Sequence, residues 1–274
     1  SGKTTFSERV LYQAKAIRHL GRVDHQDAFL DAHPLEKQRG ITIFSGLARF
    51  SSGGEDILWL DTPGHADFSP EMERALSVLD YAILLVSAAE GVQSHTETLW
   101  QLLADYGVPT FVFLNKTDRA GADEAGCLRA LEKLSPDVID LRSWQAGAMD
   151  EALIEALAGR DDALISAYLD GKCDEQMCAR ALTQWIKARR VFPVFSGSAL
   201  TGAGVEAFWT RFCQTTATDY DEKTEAPFSA RVYQIRRVQG ARVCFLKILT
   251  GTRRVKSELP APEARVKVNE IRLY

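Results

Sequence analysis

Four short runs of β-branched, aromatic and other apolar residues, at 57–60, 81–86, 110–114 and 191–195, are separated by longer stretches with the period of an amphipathic helix. That alternation constrains the fold more than any other feature. Strands that alternate with helices pair in parallel, and a parallel sheet needs helices on both faces. The stretch between the first two runs shows the pattern: Met72, Ala75, Leu76 and Leu79 fall at i, i+3, i+4 and i+7, with Ser69 placed to cap and Pro70 at the first helical position. In open α/β sheets ligands gather beyond the carboxyl ends of the strands, so the residues just after each run are where chemistry is expected.

Charge divides the chain. The 274 residues carry a net charge of −4, yet residues 228–274 hold eleven Lys or Arg against three Glu, a local +8 that leaves −12 for the rest. Such an asymmetry suggests that the basic segment faces an anion such as nucleic acid phosphate; a small β domain with solvated basic faces is the other reading. Between the two regimes, residues 214–227 are polar and closed by Pro227, which reads as a linker between domains spanning 1–220 and 228–274. After it the pattern changes to strands at 230–237 and 242–249 around Gln239-Gly240, with a further turn at Thr250-Gly251-Thr252. This module is β-rich and too short to close a barrel.

A hydrophobic content of 46% is enough for a sizeable core. The longest nearly apolar run, 81–89, is less than half of what crosses a bilayer, and no charged-then-apolar leader opens the sequence, so neither a membrane protein nor a secreted precursor is expected. Five cysteines without a Cys-x-x-Cys argue against a disulfide scaffold and a thiolate zinc site; Cys173 and Cys178 are closest, with no histidine nearby. A reducing cytoplasm is the expected compartment.

Polar motifs follow the apolar runs. Gly2-Lys3-Thr4, continued by Thr5 and a helical stretch, is the second half of a phosphate-binding loop: amides at a helix N-terminus cradle phosphates, Lys3 supplies a point charge and Thr4 a magnesium ligand. By itself the tripeptide is equally a chance sequence in a flexible N-terminus. Asp61-Thr62-Pro63-Gly64-His65 follows the first run, offering a carboxylate for a water-linked magnesium and a Gly64 amide for a γ-phosphate. Asn115-Lys116-Thr117-Asp118 follows the third run and Ser196-Gly197-Ser198-Ala199 the fourth. Asp118 can accept from both the ring N–H and the exocyclic amine of guanine, a pairing adenine cannot offer, so GTP rather than ATP is the expected nucleotide. Each tetrapeptide taken singly is explained by a strand-ending turn. Several in order, each at a strand's carboxyl end, are not.

With these motifs in place the chain resembles the P-loop GTPases and, within them, the translational GTPases. Residues 39–43 (RGITI), with Glu36 before them, look like that group's first switch, and histidine after Asp-Thr-Pro-Gly is that group's form of the second. The resemblance narrows to the ribosomal protection proteins of tetracycline resistance, relatives of elongation factor G, on residues 35–43 (LEKQRGITI), 76–87 with Gly91-Val92-Gln93, and 160–171 (RDDALISAYLDG). It covers essentially the whole chain. The resemblance implies a mostly parallel sheet with helices on both faces, whose first strand is missing here, followed by the start of a β-barrel domain. It implies phosphate binding by Gly2, Lys3, Thr4, Thr5, Thr42 and Gly64, and guanine binding by Asn115, Lys116, Asp118, Ser198 and Ala199. Thr4, Thr42 and water-linked Asp61 would surround Mg2+, and His65 would be catalytic, aligning water against the γ-phosphate of GTP. The implied partner is the ribosome, through RNA and proteins of both subunits, with the protein acting as a monomer away from membranes.

The family's phosphate loop begins before Ser1 with residues this sequence does not contain, so the 274 residues are expected to be a fragment that folds poorly and binds GTP weakly. Other readings stay open: an elongation factor G-like or release-factor-like GTPase of ordinary translation, a non-hydrolysing GTP-binding regulator, or a non-functional gene fragment.

Overall fold

The computed structural model describes residues 1–21, 29, 46–62, 69–238, 240–260 and 265–272. The chain forms two compact units, Ser1–Ala217 and Thr218–Tyr274. The first opens with α1 (Lys3–Gln13), followed by β1 (Gly46–Ser52), β2 (Glu55–Asp61), α2 (Ser69–Leu76), β3 (Ala82–Ser87), α3 (Ser94–Asp105) and β4 (Thr110–Asn115). Next come α4 (Glu124–Leu134), β5 (Val138–Asp140), α5 (Arg142–Ala146), α6 (Glu151–Ala158), α7 (Asp162–Leu169), α8 (Glu175–Lys187), β6 (Phe192–Ser196) and α9 (Val205–Thr215).

Strands β3, β4, β6 and β5 form, in that spatial order, a fully parallel sheet. The pleat of β4 explains why it needs cover on both sides. Phe111 and Phe113 point into a core built with Phe6, Val10 and Leu11 of α1, Trp144 of α5, Leu182 and Ile186 of α8, and Phe208 of α9. Val112 and Leu114 point the other way, toward Met72 and Leu76 of α2, Leu103 of α3, and Cys127 and Leu131 of α4. The fold is thus the expected α/β architecture, helices on both faces of a parallel sheet. The helix face read from 72–79 packs as expected through Met72, Ala75 and Leu76, although Leu79 lies past the helix end and is only partly buried. Ser69 is the first residue of α2 rather than a cap outside it.

The run at 57–60 departs from the parallel expectation. It lies within β2, which pairs antiparallel with β1 in a two-stranded sheet of its own. Gly53 and Gly54, both at positive φ, join the two strands as a two-residue hairpin loop, the turn whose twist matches an antiparallel ribbon. Side chains tie this hairpin to the helices. Trp59 Nε1 donates to Ser7 Oγ (3.0 Å), Trp209 Nε1 donates to Ser52 Oγ (2.9 Å), and the Trp59 and Trp209 rings meet edge to face. Helices α6, α7 and α8 are each capped by an aspartate, Asp150, Asp161 and Asp174, that accepts from first-turn amides. Beside the last cap, Cys173 and Cys178 bring their sulfurs to 3.7 Å, and burial pushes the Cys178 thiol up to about 12. Among the described residues no helix is long and apolar enough to cross a membrane.

The second unit holds β7 (Ser229–Val238) and β8 (Ala241–Thr250), an antiparallel hairpin with an irregularity between Val232 and Gln234, and the short antiparallel pair β9 (Glu258–Pro260) and β10 (Arg265–Lys267). Both strands of the larger hairpin match the alternation read at 230–237 and 242–249. The polar segment at 214–227 is more structured than a plain linker: its first residues close α9, and Asp221–Lys223 forms a 3₁₀ turn whose Lys223 carbonyl accepts from Gly251 N (2.8 Å).

The Phe208 ring sits among those of Phe6, Phe111, Phe113, Phe195 and Phe212, at centroid distances between 4.7 and 6.5 Å across the cluster. Phe208→Ala is therefore expected to cost about 3–5 kcal/mol, read as a lower denaturation midpoint of the intact protein at unchanged m-value.

Candidate nucleotide site at the carboxyl ends of the strands

The sheet brings the ends of β3, β4 and β6 to one side, and the start of α1 meets them there. Asn115, the last residue of β4, is buried, and its side-chain amide is spent on three backbone groups. Nδ2 donates to the Ser1 carbonyl (2.8 Å), while Oδ1 accepts from the amides of Lys116 (2.8 Å) and Ala199 (2.9 Å). Its own carbonyl accepts from Ala88 N (2.8 Å) in the loop after β3. One residue thereby joins the start of the chain, the loop after β3, the Asn-Lys-Thr-Asp loop and the Ser-Gly-Ser-Ala loop.

Gly2 makes this approach possible. It caps α1 at a φ of 85°, and a Cβ there would stand 2.8 Å from Asn115 Nδ2. Gly2 at the N-cap has no side chain to cap α1, and the first-turn amides of Lys3, Thr4 and Thr5 point out of the helix as those of an anion-binding N-terminus do. Burial pushes the Lys3 amine below its ordinary value, and the Asp61 carboxylate at the end of β2 partly restores it. The two charges are therefore close enough to act on each other from α1 and β2.

The loop after β4 turns sharply at Lys116, which holds a left-handed φ of 68°. For a residue with a side chain this conformation costs about 1–2 kcal/mol, and it is held by the amide bond to Asn115 Oδ1 and by Thr117 N donating to Gly197 O (3.2 Å). The Lys116 ammonium lies 2.7 Å from Glu90 Oε1, and this bond holds the Glu90 carboxyl below its usual range. Asp118 stands exposed at the same turn.

Ser198 and Ala199 are buried in the loop after β6. Ser198 N donates to Ala203 O (2.9 Å), and Ser198 Oγ accepts from Thr201 N (3.2 Å). Gly197 is required at this turn, since a Cβ would clash with the Ala203 carbonyl oxygen. Arg9 of α1 reaches across, its Nε donating to Ala199 O (3.2 Å) and its guanidinium also to Leu200 O.

Of the residues singled out in the sequence, Asn115, Lys116 and Ala199 share one hydrogen-bonded junction with the Ser1 carbonyl, Gly2 lies against the Asn115 amide, Asp61 acts on Lys3 electrostatically, and Thr4, Thr5, Ser198 and Asp118 lie on the segments so joined. Thr42, Gly64 and His65 lie outside the described residues. Sequence reading passed over three residues that hold these loops: Arg9, Glu90 and Gln145. Arg9, at mid-helix, reads as an ordinary surface charge, and nothing in the sequence marks Glu90 or Gln145.

The residues present fit a magnesium ion held jointly with phosphates. Among the described residues no group of three or more His, Cys, Asp or Glu could cage a metal, whereas a hydroxyl at Thr4 and the buried Asp61 carboxylate offer the few hard oxygen ligands Mg2+ takes from a protein.

Comparison with known proteins decides the family: the elongation factor Tu GTP binding domain matches residues 1–225. The chain belongs to that family. It is 38% identical over 272 residues to an oxytetracycline resistance protein of Streptomyces rimosus, covering 92% of this chain and 41% of that protein. It is 40% identical over 217 residues to tetracycline resistance protein TetM of Streptomyces lividans, covering 75% and 34%. Elongation factor G 1 of Geobacter sulfurreducens is 32% identical over 313 residues, covering 92% and 45%. The chain thus spans less than half the length of each of these relatives. A crystal structure from Thermus thermophilus superimposes with a TM-score of 0.85 at 22% identity, over 97% of this chain and 46% of that one, a likeness of fold.

Two substitutions separate the parts of the junction. Asn115→Ala leaves the Ser1 carbonyl and the Ala199 amide without partners and is expected to cost about 1–3 kcal/mol of stability, together with guanine nucleotide affinity by titration calorimetry. Lys3→Met is expected to act with opposite signs. Because burial lowers the Lys3 pKa, the charged amine destabilises the ligand-free fold at neutral pH, and that cost fades as pH rises through the folded value toward 10.5. Removing the charge should raise the ligand-free melting temperature near pH 7, with the gain shrinking at higher pH, while GTP affinity falls about 10- to 100-fold.

Proposed function

We propose that this chain is the nucleotide-binding part of a ribosome-dependent GTPase of the tetracycline-resistance ribosomal protection type. The observation that carries the reading is the Asn115 junction, which holds the phosphate-side segment and both guanine-side loops in one frame, in a chain 38% and 40% identical to named resistance proteins. In this reading the α1 N-terminus and Lys3 hold the phosphates of GTP, with the amide of Gly64 and the residues Thr5 and Thr42 closing on them. Asp118 takes the ring N–H and exocyclic amine of guanine, with Asn115, Lys116, Ser198 and Ala199 shaping the rest of the base pocket.

Thr4, Thr42 and, through water, Asp61 would hold Mg2+, which supplies charge neutralisation at the phosphates when bound. His65 orients the attacking water for in-line displacement, and release of the γ-phosphate frees the switch segments. The ribosome is the partner, in the cytoplasm. The basic segment at 228–274, with exposed Arg231, Arg236, Arg237 and Arg242 on its hairpin, supplies charge suited to ribosomal RNA. Binding dislodges the drug, and hydrolysis lets the factor leave.

A second reading, a translocase-like factor, is favoured by the 32% identity to elongation factor G 1. Polyphenylalanine synthesis by tetracycline-inhibited ribosomes that already hold ordinary elongation factors separates the two. Rescue by the intact protein with GTP is the expected result; ribosome-stimulated hydrolysis without rescue selects the translocase-like reading. In the same system His65→Ala is expected to leave GTP binding nearly intact and to cut ribosome-stimulated turnover by about 100-fold or more. Unchanged turnover would move the water-orienting role to another residue.

A further inference from the structure

The loop that carries Ser198 and Ala199 is closed at its neck by a side chain from a distant helix. Gln145, on the five-residue α5, is buried, and its amide bonds to the two ends of that loop. Nε2 donates to the carbonyls of Ser196 (2.7 Å) and Gly204 (2.7 Å), and Oε1 accepts from the amide of Ser196 (2.9 Å). The orientation of the amide follows from its partners: two carbonyls need the NH2 group, and one N–H needs the oxygen. Ser196 ends β6, and Gly204 caps α9. Gln145 therefore bridges the last residue of a strand and the first cap of the next helix, with 197–203 held as a closed turn between them.

The fit at the neck is tight. Gly204 has a φ of 75°, and a Cβ there would lie 2.5 Å from Ser196 O and 2.9 Å from Gln145 Nε2. One residue further in, Gly197 faces Ala203 with no room for a side chain. Helix α5 is itself braced: Trp144 Nε1 donates to Glu175 Oε1 (2.8 Å), and the Arg211 guanidinium lies over the Trp144 ring at 4.4 Å while its Nε donates to Trp144 O (3.2 Å). A rigid support thus ends in a single amide that sets the spacing of the loop's two ends. Asn115 and Arg9 grip the middle of the same loop, at the amide and carbonyl of Ala199.

We propose that Gln145 is a positioning residue for guanine recognition, holding the 197–203 loop, and with it Ser198 and Ala199, at the depth where the loop lines the carbonyl edge of the base. The inference rests on the reading of Ser198 and Ala199 as part of the guanine pocket. Gln145 acts through the loop, since its amide is bonded to Ser196 and Gly204. Its loss weakens GTP and GDP alike, because the base is common to both, and spares the phosphate end and the chemical step.

The test uses the intact protein with GTP, GDP and ITP. Gln145→Leu keeps the volume and removes all three hydrogen bonds; Gln145→Glu keeps the shape and the acceptor for Ser196 N–H, and serves if the leucine variant fails to fold. Expected is an equal loss of GTP and GDP affinity of about tenfold or more, an unchanged GTP-to-ITP ratio, and a ribosome-stimulated kcat at saturating GTP within about twofold of the parent. The unchanged ratio follows because ITP keeps the carbonyl edge and lacks only the amine assigned to Asp118. A lower melting temperature with unchanged nucleotide affinity in the folded protein would overturn the proposal, as would a fall in kcat without a rise in KM. Asp118→Ala separates this inference from its foundation. If that variant keeps the parent's GTP-to-ITP preference, the guanine-pocket reading itself fails; if it loses the preference while the Gln145 variants bind like the parent, the positioning role alone fails.

Discussion

The buried amide of Asn115 holds the site together. A side-chain amide in a dry environment must use its donors and acceptor, and the Asn115 side chain uses them on backbone groups of Ser1, Lys116 and Ala199. Backbone partners fix the chain itself rather than a neighbouring side chain. The three segments therefore cannot drift apart without stranding polar groups away from water.

That junction is supported from below by the two-faced sheet. Phe111 and Phe113 on one side of β4, and Val112 and Leu114 on the other, bury the strand completely, so its last residue is delivered to a fixed point. Burial also explains the tension at Lys3. Among the described residues Asp61 is the carboxylate that acts against the burial of the Lys3 amine, and burial still prevails, a condition suited to a site that receives an anion.

Much of this was legible in the sequence because its signals are local. The runs at 110–114 and 191–195 became β4 and β6 within a residue, and β7 and β8 formed where the alternation at 230–237 and 242–249 placed them. The polar tetrapeptides after β4 and β6 indeed sit at carboxyl ends of parallel strands. The run at 57–60 misled because an apolar run of that length carries no information on the direction of its partner; Gly53-Gly54, which makes the strand half of an antiparallel hairpin, was the overlooked signal. Helix α5 is too short for a periodicity to show, and Gln145 on it reads as any polar residue.

Local pattern was enough for the strand–helix alternation and the polar loops that end the strands, because each of these depends on neighbours within a few residues. It took the folded chain to show that Asn115 grips Ser1 and Ala199 across 114 and 84 positions, that Arg9 reaches the Ala199 carbonyl, and that Gln145 closes a loop 51 positions away. Those bonds join backbone groups whose meeting is set by how the sheet and its two helical layers pack, and packing over such separations leaves no periodic trace in the chain.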